Sequence, residues 1–282
     1  MRDKVIVITG GSSGIGRALA ERFGSEGSKL VITGRKKERL EEVVADLKNK
    51  GIEALPVVAD ASIEADCARV VDTAIETYGR IDVLINNAGI SMRALFEDLQ
   101  VDVFKKVMDV NFYGTIYTTK YALPYIIRSK GSVVGIASVN GRRATPERSA
   151  YSASKFAMIG FLESLRTEML DRDVHVLTAC PGFTASNIRK SALLGNGRVQ
   201  GYSPADEEHM MPAEEVADHI YSAVVRRKRD LLLTLQGKLA VWLNVLFPRW
   251  MDRKTLEFMK REEPHSSTRA NQVGQRINTK SY

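Results

Sequence analysis

The chain has 282 residues, 44% of them hydrophobic and 27% charged, which excludes a collagenous, coiled-coil or wholly disordered protein. A chain of this length buries a large core without disulfide or metal staples, and one α/β domain with an appendix accounts for it. The balance of 41 Lys+Arg against 34 Asp+Glu is uneven along the chain: residues 226–282 hold 13 basic and 5 acidic groups, leaving 28 and 29 for the rest. A neutral body argues against nucleic-acid binding, and a basic tail meets something anionic, or nothing.

Val5–Ile8 is a short apolar run that reads as a buried strand, and residues 17–26 follow with apolar positions at helical spacing. Residues 30–33 are the next strand, 36–50 a charged helix, and Ala54–Val58 a third strand. A helix over 66–78, a strand at 83–85, one long helix over 103–127 and strand Ser132–Ile136 continue the alternation. A helix over 150–170, a strand over 174–179, a loop to Pro212, a helix over 213–226 and a strand at 231–234 complete the body. Continuous apolar strands alternating with helices predict an α/β fold, a doubly wound parallel sheet with helices on both faces. The expected division is a catalytic domain over 1–235 with a substrate loop at 183–212, an amphipathic helical extension over 236–263, and a disordered tail over 264–282.

Two cysteines, Cys67 and Cys180, make neither zinc spacing nor a disulfide framework, so no metal site and a reducing, cytoplasmic compartment are expected. No apolar run spans a bilayer, and Met1 to Lys4 leaves no room for a signal peptide before the first strand.

Thr9-Gly10-Gly11-Ser12-Ser13-Gly14-Ile15-Gly16 joins the first strand to the first helix. Glycines there let the backbone turn tightly and approach a pyrophosphate, which a helix N-terminus stabilises. By itself such a turn could also be a tight connection with no ligand. After the second strand, Thr33-Gly34-Arg35-Lys36-Lys37 has no acid to take the ribose hydroxyls of NAD, and Arg35 can fork onto the 2′-phosphate of NADP(H). The competing reading is a solvated helix start, but cations at a helix N-terminus oppose its dipole. Asp60, closing the third strand, is placed to accept from the adenine amino group, and Asn86-Asn87-Ala88-Gly89 offers small residues where the backbone passes the cofactor.

Tyr151-Ser152-Ala153-Ser154-Lys155 opens a helix with Tyr and Lys at i and i+4, on one face. A phenol with pKa about 10 is a poor acid/base, and a neighbouring ammonium favours the phenolate. Ser138, 13 residues upstream, can hold a substrate oxygen beside the phenol.

Taken together, Thr9 to Gly16, Asn86 to Gly89, Asn111, Ser138, Tyr151-x-x-x-Lys155 and Pro181-Gly182 resemble the short-chain dehydrogenase/reductase family over roughly residues 4–234. The resemblance implies a Rossmann-type sheet of about seven strands and an NAD(P)-dependent oxidoreductase. It gives Tyr151 the proton transfer, Ser138 the carbonyl, Lys155 the tyrosine pKa and the nicotinamide ribose, and Asn111 the water of a proton relay. It also places Gly10, Ser12, Ser13, Gly14, Ile15, Gly16, Asn87, Ala88, Gly89, Pro181, Gly182 and Thr184 around the cofactor. Asp82 is structural in that pattern, and a homodimer or homotetramer is implied.

Two segments stay open. The apolar residues Phe183, Ile188, Leu193, Leu194, Val199, Tyr202, Met210 and Met211 suit either a lipophilic substrate or packing on the core. Met92, Arg142 and Arg143 are further candidates for the pocket, the arginines for an acidic substrate group. Leu239, Trp242, Leu243, Leu246, Phe247 and Trp250 make one helical face, bent or broken near Pro248 and flanked by cations. It fits either an anionic membrane surface met by 236–261 or packing against the protein itself. That stretch resembles the C-termini of reductases near 11β-hydroxysteroid dehydrogenase and acyl-dihydroxyacetone-phosphate reductase, which act on membrane-soluble steroids or lipids. The leading expectation is NADPH-dependent reduction of a lipophilic ketone or aldehyde. The alternatives are the same chemistry run as an alcohol dehydrogenase, or a non-catalytic NADP(H) sensor.

Overall fold

A computed structural model of the chain describes residues 1–203 and 210–262. The expected disordered tail and positions 204–209 of the substrate loop lie outside the described residues.

Strands β1 (Val5–Ile8), β2 (Lys29–Gly34), β3 (Ala54–Val58) and β4 (Val83–Asn86) alternate with helices α1 (Gly14–Gly24), α2 (Lys37–Asn49) and α3 (Glu64–Tyr78). After a two-residue strand β5 (Met92–Arg93) come helices α4 (Val101–Met108) and α5 (Gly114–Ser129), strand β6 (Ser132–Ile136), helix α6 (Ser149–Glu168) and strand β7 (His175–Cys180). A second short strand β8 (Leu193–Leu194), helix α7 (Ala213–Val225), strand β9 (Asp230–Leu232) and helices α8 (Leu235–Leu246) and α9 (Pro248–Glu262) complete the order.

Seven strands form one sheet in the order β3-β2-β1-β4-β6-β7-β9, every described pair parallel. Because side chains alternate across a strand, Ile6 and Ile8 of β1 pack with Leu19, Phe23 and Ile220 on one face, while Val7 packs with Val71, Leu84 and Leu162 on the other. Both faces are therefore core, which is why each strand is a continuous apolar run. The order reverses between β1 and β4, so the loops leaving those strands open a crevice at the carboxyl edge of the sheet. This is the expected Rossmann-type architecture.

The helix expected over 103–127 is interrupted. Between α4 and α5, Asp109–Tyr113 forms a π-helical turn with Asn111 fully buried in it. The cause is tertiary. Asn111 accepts at Oδ1 from Ile90 N–H at 2.8 Å and donates through Nδ2 to Ile90 O at 3.0 Å and to Ser154 Oγ at 2.9 Å. One widened turn aims the carboxamide at both partners, a common use of π-bulges at functional positions.

Asp82 ties the opposite edge of the sheet. Its buried carboxylate accepts from Val5 N–H at 3.0 Å, Lys4 Nζ at 3.0 Å and both Arg80 Nε (2.8 Å) and Nη2 (2.6 Å). Burial alone would raise its pKa, but the bonds from Arg80, Val5 and Lys4 outweigh that and hold it below the usual carboxylate range. A depressed carboxylate pKa contributes stability that is present above the unfolded value of about 3.9 and is lost as pH falls through the folded value. Asp82→Asn is expected to cost about 1–3 kcal/mol in urea unfolding at pH 7 and to flatten the loss of stability below about pH 4. An acid limb identical to that of the wild type contradicts this.

Candidate active site

Each strand of the crevice ends in a residue singled out by the sequence. Gly10, which follows β1, has φ +68, and a Cβ there would stand 2.9 Å from Ala88 Cα, so only glycine lets the turn touch the end of β4. Thr9 Oγ1 accepts from Asn87 and Ala88 N–H, each at 3.0 Å, while Asn87 Nδ2 donates to Thr9 O at 2.9 Å and Gly10 O at 3.1 Å. Gly16 packs against the Gly10 carbonyl and Asn87 so closely that a Cβ would collide with both. Gly14 has φ +50, and Ser13 caps α1 in an extended conformation with no side-chain capping bond, which leaves its hydroxyl for another acceptor. Ser12 Oγ lies against Gly34 at the end of β2. These features make a rigid glycine turn at a helix N-terminus, the kind of place where free backbone N–H groups can meet an anion.

Further along the edge, Arg35 leaves β2 and Asp60 follows β3, with Arg35 Nη1 4.0 Å from Asp60 Oδ2. Asp60 Oδ1 is occupied by Ser62, accepting from its N–H at 2.9 Å and its hydroxyl at 2.7 Å. Arg35 is exposed and meets that carboxylate only at long range.

Beyond β6, Ser138 is extended and caps a short 3-10 turn, its Oγ accepting from Asn140 N–H at 3.1 Å. From α6, Lys155 reaches back into the core, 3% exposed, and donates through Nζ to Ile136 O at 2.8 Å. Burial lowers its pKa to about 8. The ammonium lies 5.8 Å from the centre of the Tyr151 ring. Burial dominates and raises the Tyr151 phenol above its ordinary value, although a hydrogen bond with Ser138 and the charges of Arg148 and Arg189 pull it down. Sequence put forward Lys155 for that electrostatic support, and the structure adds these two arginines.

Ser138, Tyr151 and Lys155 line a cavity of about 410 Å³ that also takes in Ile15, Asn87, Gly89, Pro181, Gly182 and Thr184. Gly10, Ser12, Ser13, Gly14, Gly16 and Ala88 form the turn beside it, Arg35 and Asp60 lie outside its lining, and Asn111 stands behind Gly89, whose Cβ would be 3.2 Å from Asn111 Oδ1.

The substrate loop divides. Phe183 and Ile188 line the cavity, whereas Leu193 pairs with Met92 in the two-stranded β5–β8 sheet and both are buried in a small separate core. Met211 packs on the main core, and Val199 and Tyr202 are exposed. Met92 is thus a core residue and does not face the cavity. Arg142 pairs with Glu163 and Asp230, each at 3.2 Å, and is likewise no part of the lining.

The extension closes the cavity from the other side. Thr234, with φ +65, caps α8 by accepting from Gly237 N–H at 3.1 Å, and Gly237 packs on Val139. The helix breaks before Pro248, as the sequence implied, and Ala240, Met251, Lys254 and Thr255 complete the wall. Arg143 braces it, donating through Nη2 to Asp252 at 2.8 Å and to Thr255 Oγ1 at 3.3 Å. The apolar face picked out by the sequence points the other way: Leu239, Trp242, Leu246, Phe247 and Trp250 are all exposed. Sequence missed this wall because Ala240, Lys254 and Thr255 are small or polar and Met251 stands outside the apolar face it picked out. It missed Arg148 as well, although a cation at the start of α6 opposes the helix dipole as Arg35 does at α2.

A doubly wound sheet whose switch-point crevice holds a glycine cradle beside Ser138, Tyr151 and Lys155 defines a dinucleotide-dependent type of site. The family model of the short chain dehydrogenases matches residues 4–196, and the chain belongs to that oxidoreductase family. It is 37% identical over 258 residues to "Dehydrogenase/reductase SDR family member 7B" of Rattus norvegicus, covering 88% of this chain and 79% of that protein. The Xenopus laevis protein of the same name is 39% identical over 252 residues, covering 86% and 78%. Among solved structures, a short chain dehydrogenase/reductase from Burkholderia phymatum in complex with NAD superposes with TM-score 0.80 at 25% identity, covering 88% of this chain and 95% of that one. An alcohol dehydrogenase from Thermococcus sibiricus shares the fold, with TM-score 0.72 at 24% identity over 82% of this chain and 96% of that one.

Arg143→Ala is expected to loosen α9 by about 1 kcal/mol, seen as roughly fivefold faster amide exchange within 248–262 while the sheet stays protected. Unchanged exchange in α9 would mean that the brace carries no strain-bearing role.

Proposed function

We propose that the protein is an NADPH-dependent oxidoreductase that reduces a lipophilic ketone or aldehyde to the alcohol. The observation that carries this reading is the single cavity that joins Ile15 and Gly89, beside the glycine cradle, to Ser138, Tyr151 and Lys155. The bound NAD of the Burkholderia phymatum relative supports a nicotinamide dinucleotide in the cradle. The 2′-phosphate, and hence NADP(H), rests on Arg35 at the acid-free end of β2.

In this reading the cradle from Gly10 to Gly16, with Asn87, Ala88 and Gly89, would hold the pyrophosphate and the nicotinamide side, Asp60 would accept from the adenine, and Pro181, Gly182 and Thr184 would form the far wall. The cofactor, when bound, supplies the hydride to the carbonyl carbon. Ser138 donates its hydroxyl to the carbonyl oxygen and holds it beside Tyr151. Tyr151 gives its phenolic proton to that oxygen as negative charge develops there. Lys155, with Arg148 and Arg189, supplies the positive charge that makes the resulting phenolate acceptable in a buried site. Asn111 spends its carboxamide on Ile90 and Ser154, and by holding the residue next to Lys155 it fixes the start of α6.

Apolar walls from Ile136, Val139, Phe183, Ile188, Ala240 and Met251 support a lipophilic substrate. The outward face of α8 and α9, with Trp242, Phe247 and Trp250 exposed beside Lys238, Arg249 and Arg253, supports peripheral contact with an anionic membrane surface. Among the described residues no helix is long and apolar enough to cross a membrane. Exposed Tyr113, Tyr121 and Phe156 on or beside α5 and α6 support association of subunits through those helices.

Tyr151→Phe is expected to lower kcat for ketone reduction by three orders of magnitude or more with NADPH binding changed less than about threefold; a substantially active variant removes the mechanism. Arg35→Ala is expected to weaken NADPH by about 10–100-fold and NADH by much less in calorimetric titration. Equal losses would take the 2′-phosphate away from Arg35.

A further inference from the structure

The cavity is apolar in most of its wall but not neutral: besides Lys155, whose ammonium is held by the Ile136 carbonyl, Arg143, Arg148, Arg189 and Lys254 line it, and no Asp or Glu among the described residues does. Most of these cations are committed elsewhere. Arg143 pairs with Asp252, Lys254 with Glu257 at 2.9 Å, and Arg189 donates to Thr184 O and stacks on Phe183. Arg148 differs. Its Nη1 donates to Ser91 Oγ at 3.0 Å and to Met92 O at 2.6 Å, which fixes the guanidinium, and no carboxylate among the described residues lies within ion-pair distance of it.

The neighbouring acid is directed away. Glu147 has φ +58, a left-handed conformation that a non-glycine residue adopts at a cost, and its carboxylate pairs with Arg93 Nε at 2.6 Å. Burying a cation without a counter-ion is costly, and here the adjacent acid that could neutralise it is spent on another arginine. Nε and Nη2 of Arg148 donate to nothing among the described residues, and the side chain stands in the cavity wall one helical turn before Tyr151. A planar fork of this kind matches a carboxylate or a phosphate.

We propose that the cavity selects carbonyl substrates that carry an anionic group, a carboxylate or a phosphate, paired with the open side of the Arg148 guanidinium beside Tyr151. This rests on the cavity being the substrate site, as proposed above. It assigns the substrate as amphiphilic: an acid group on Arg148, the reacting carbonyl on Ser138 and Tyr151, and an apolar chain along Phe183, Ile188 and Met251. It also moves the acid-binding role from the Arg142–Arg143 pair, where sequence put it, to a residue that sequence passed over.

The test is calorimetric binding of octanoate, octyl phosphate and octanol to the full-length protein, with and without NADP+, for the wild type, Arg148→Gln and Arg148→Lys, each first checked for native unfolding temperature. The wild type is expected to bind one of the two anions about tenfold or more tightly than octanol. Which anion is preferred separates carboxylate from phosphate. Arg148→Gln should abolish that preference with octanol changed less than about threefold, and Arg148→Lys should keep part of it. Equal binding of octanol and both anions by the wild type overturns the proposal, as does failure of both anions to bind. A loss shared by all three ligands in Arg148→Gln also overturns it, because that is the mark of a structural role. Anion preference without reduction of any keto acid or keto phosphate would instead sink the oxidoreductase reading and leave the anion site standing.

Discussion

The site depends on one buried charge. The Lys155 ammonium sits inside the core on the carbonyl of Ile136, the last residue of β6, and burial lowers its pKa to about 8. A cation in such a place is kept only if its hydrogen bonds are good, so the contact pins α6 to the end of β6 in one register. That register does the rest. Two residues beyond Ile136 the chain delivers Ser138, and one turn before Lys155 the helix delivers Tyr151, so the strand and the helix bring the two hydroxyls into one cavity. Asn111 secures the same helix from the side by donating to Ser154, and the π-turn in which it sits is the backbone distortion that this bond requires.

Around that point the molecule separates rigid from adjustable parts. The glycine turn is locked to the end of β4 by Thr9 and Asn87, with no space left for a side chain at Gly10 or Gly16. The wall opposite is built from Phe183, Ile188 and the two C-terminal helices, the second of which, α9, Arg143 fastens with two bonds. Ser138, Tyr151 and Lys155 thus rest on the end of β6 and on α6, while the opposite wall of the cavity rests on a loop and an appendix. Such a division lets one scaffold accept different substrates. The exposed face of the same appendix, rich in Trp and flanked by cations, lies on the outer side of that wall.

What could be read in the sequence is what short-range chemistry writes there. The strands declare themselves because both faces of the sheet are buried, the glycine turn because a positive φ and a close approach demand glycine, and Tyr151 with Lys155 because i and i+4 share a face. The rest depends on partners far away in the chain. Nothing near Asn111 foretells a π-turn made by bonds to Ile90 and Ser154, and nothing near Met92 foretells its pairing with Leu193 in a separate core. Arg142, Arg143 and Arg148 look alike in sequence; only the fold gives acids to the first two and leaves the third facing the cavity with none among the described residues. The extension was legible as an amphipathic helix with a break, but its apolar face is the outer one, because Gly237, Met251 and Thr255 are the residues that turn towards the body.

The central claim is that this crevice binds a phosphorylated nicotinamide cofactor and uses it. Its most direct test is calorimetric titration of the purified full-length protein with NADPH and NADH under one buffer. The account requires one site per chain with NADPH held about tenfold or more tightly. Tighter binding of NADH, or no binding of either dinucleotide, would contradict it.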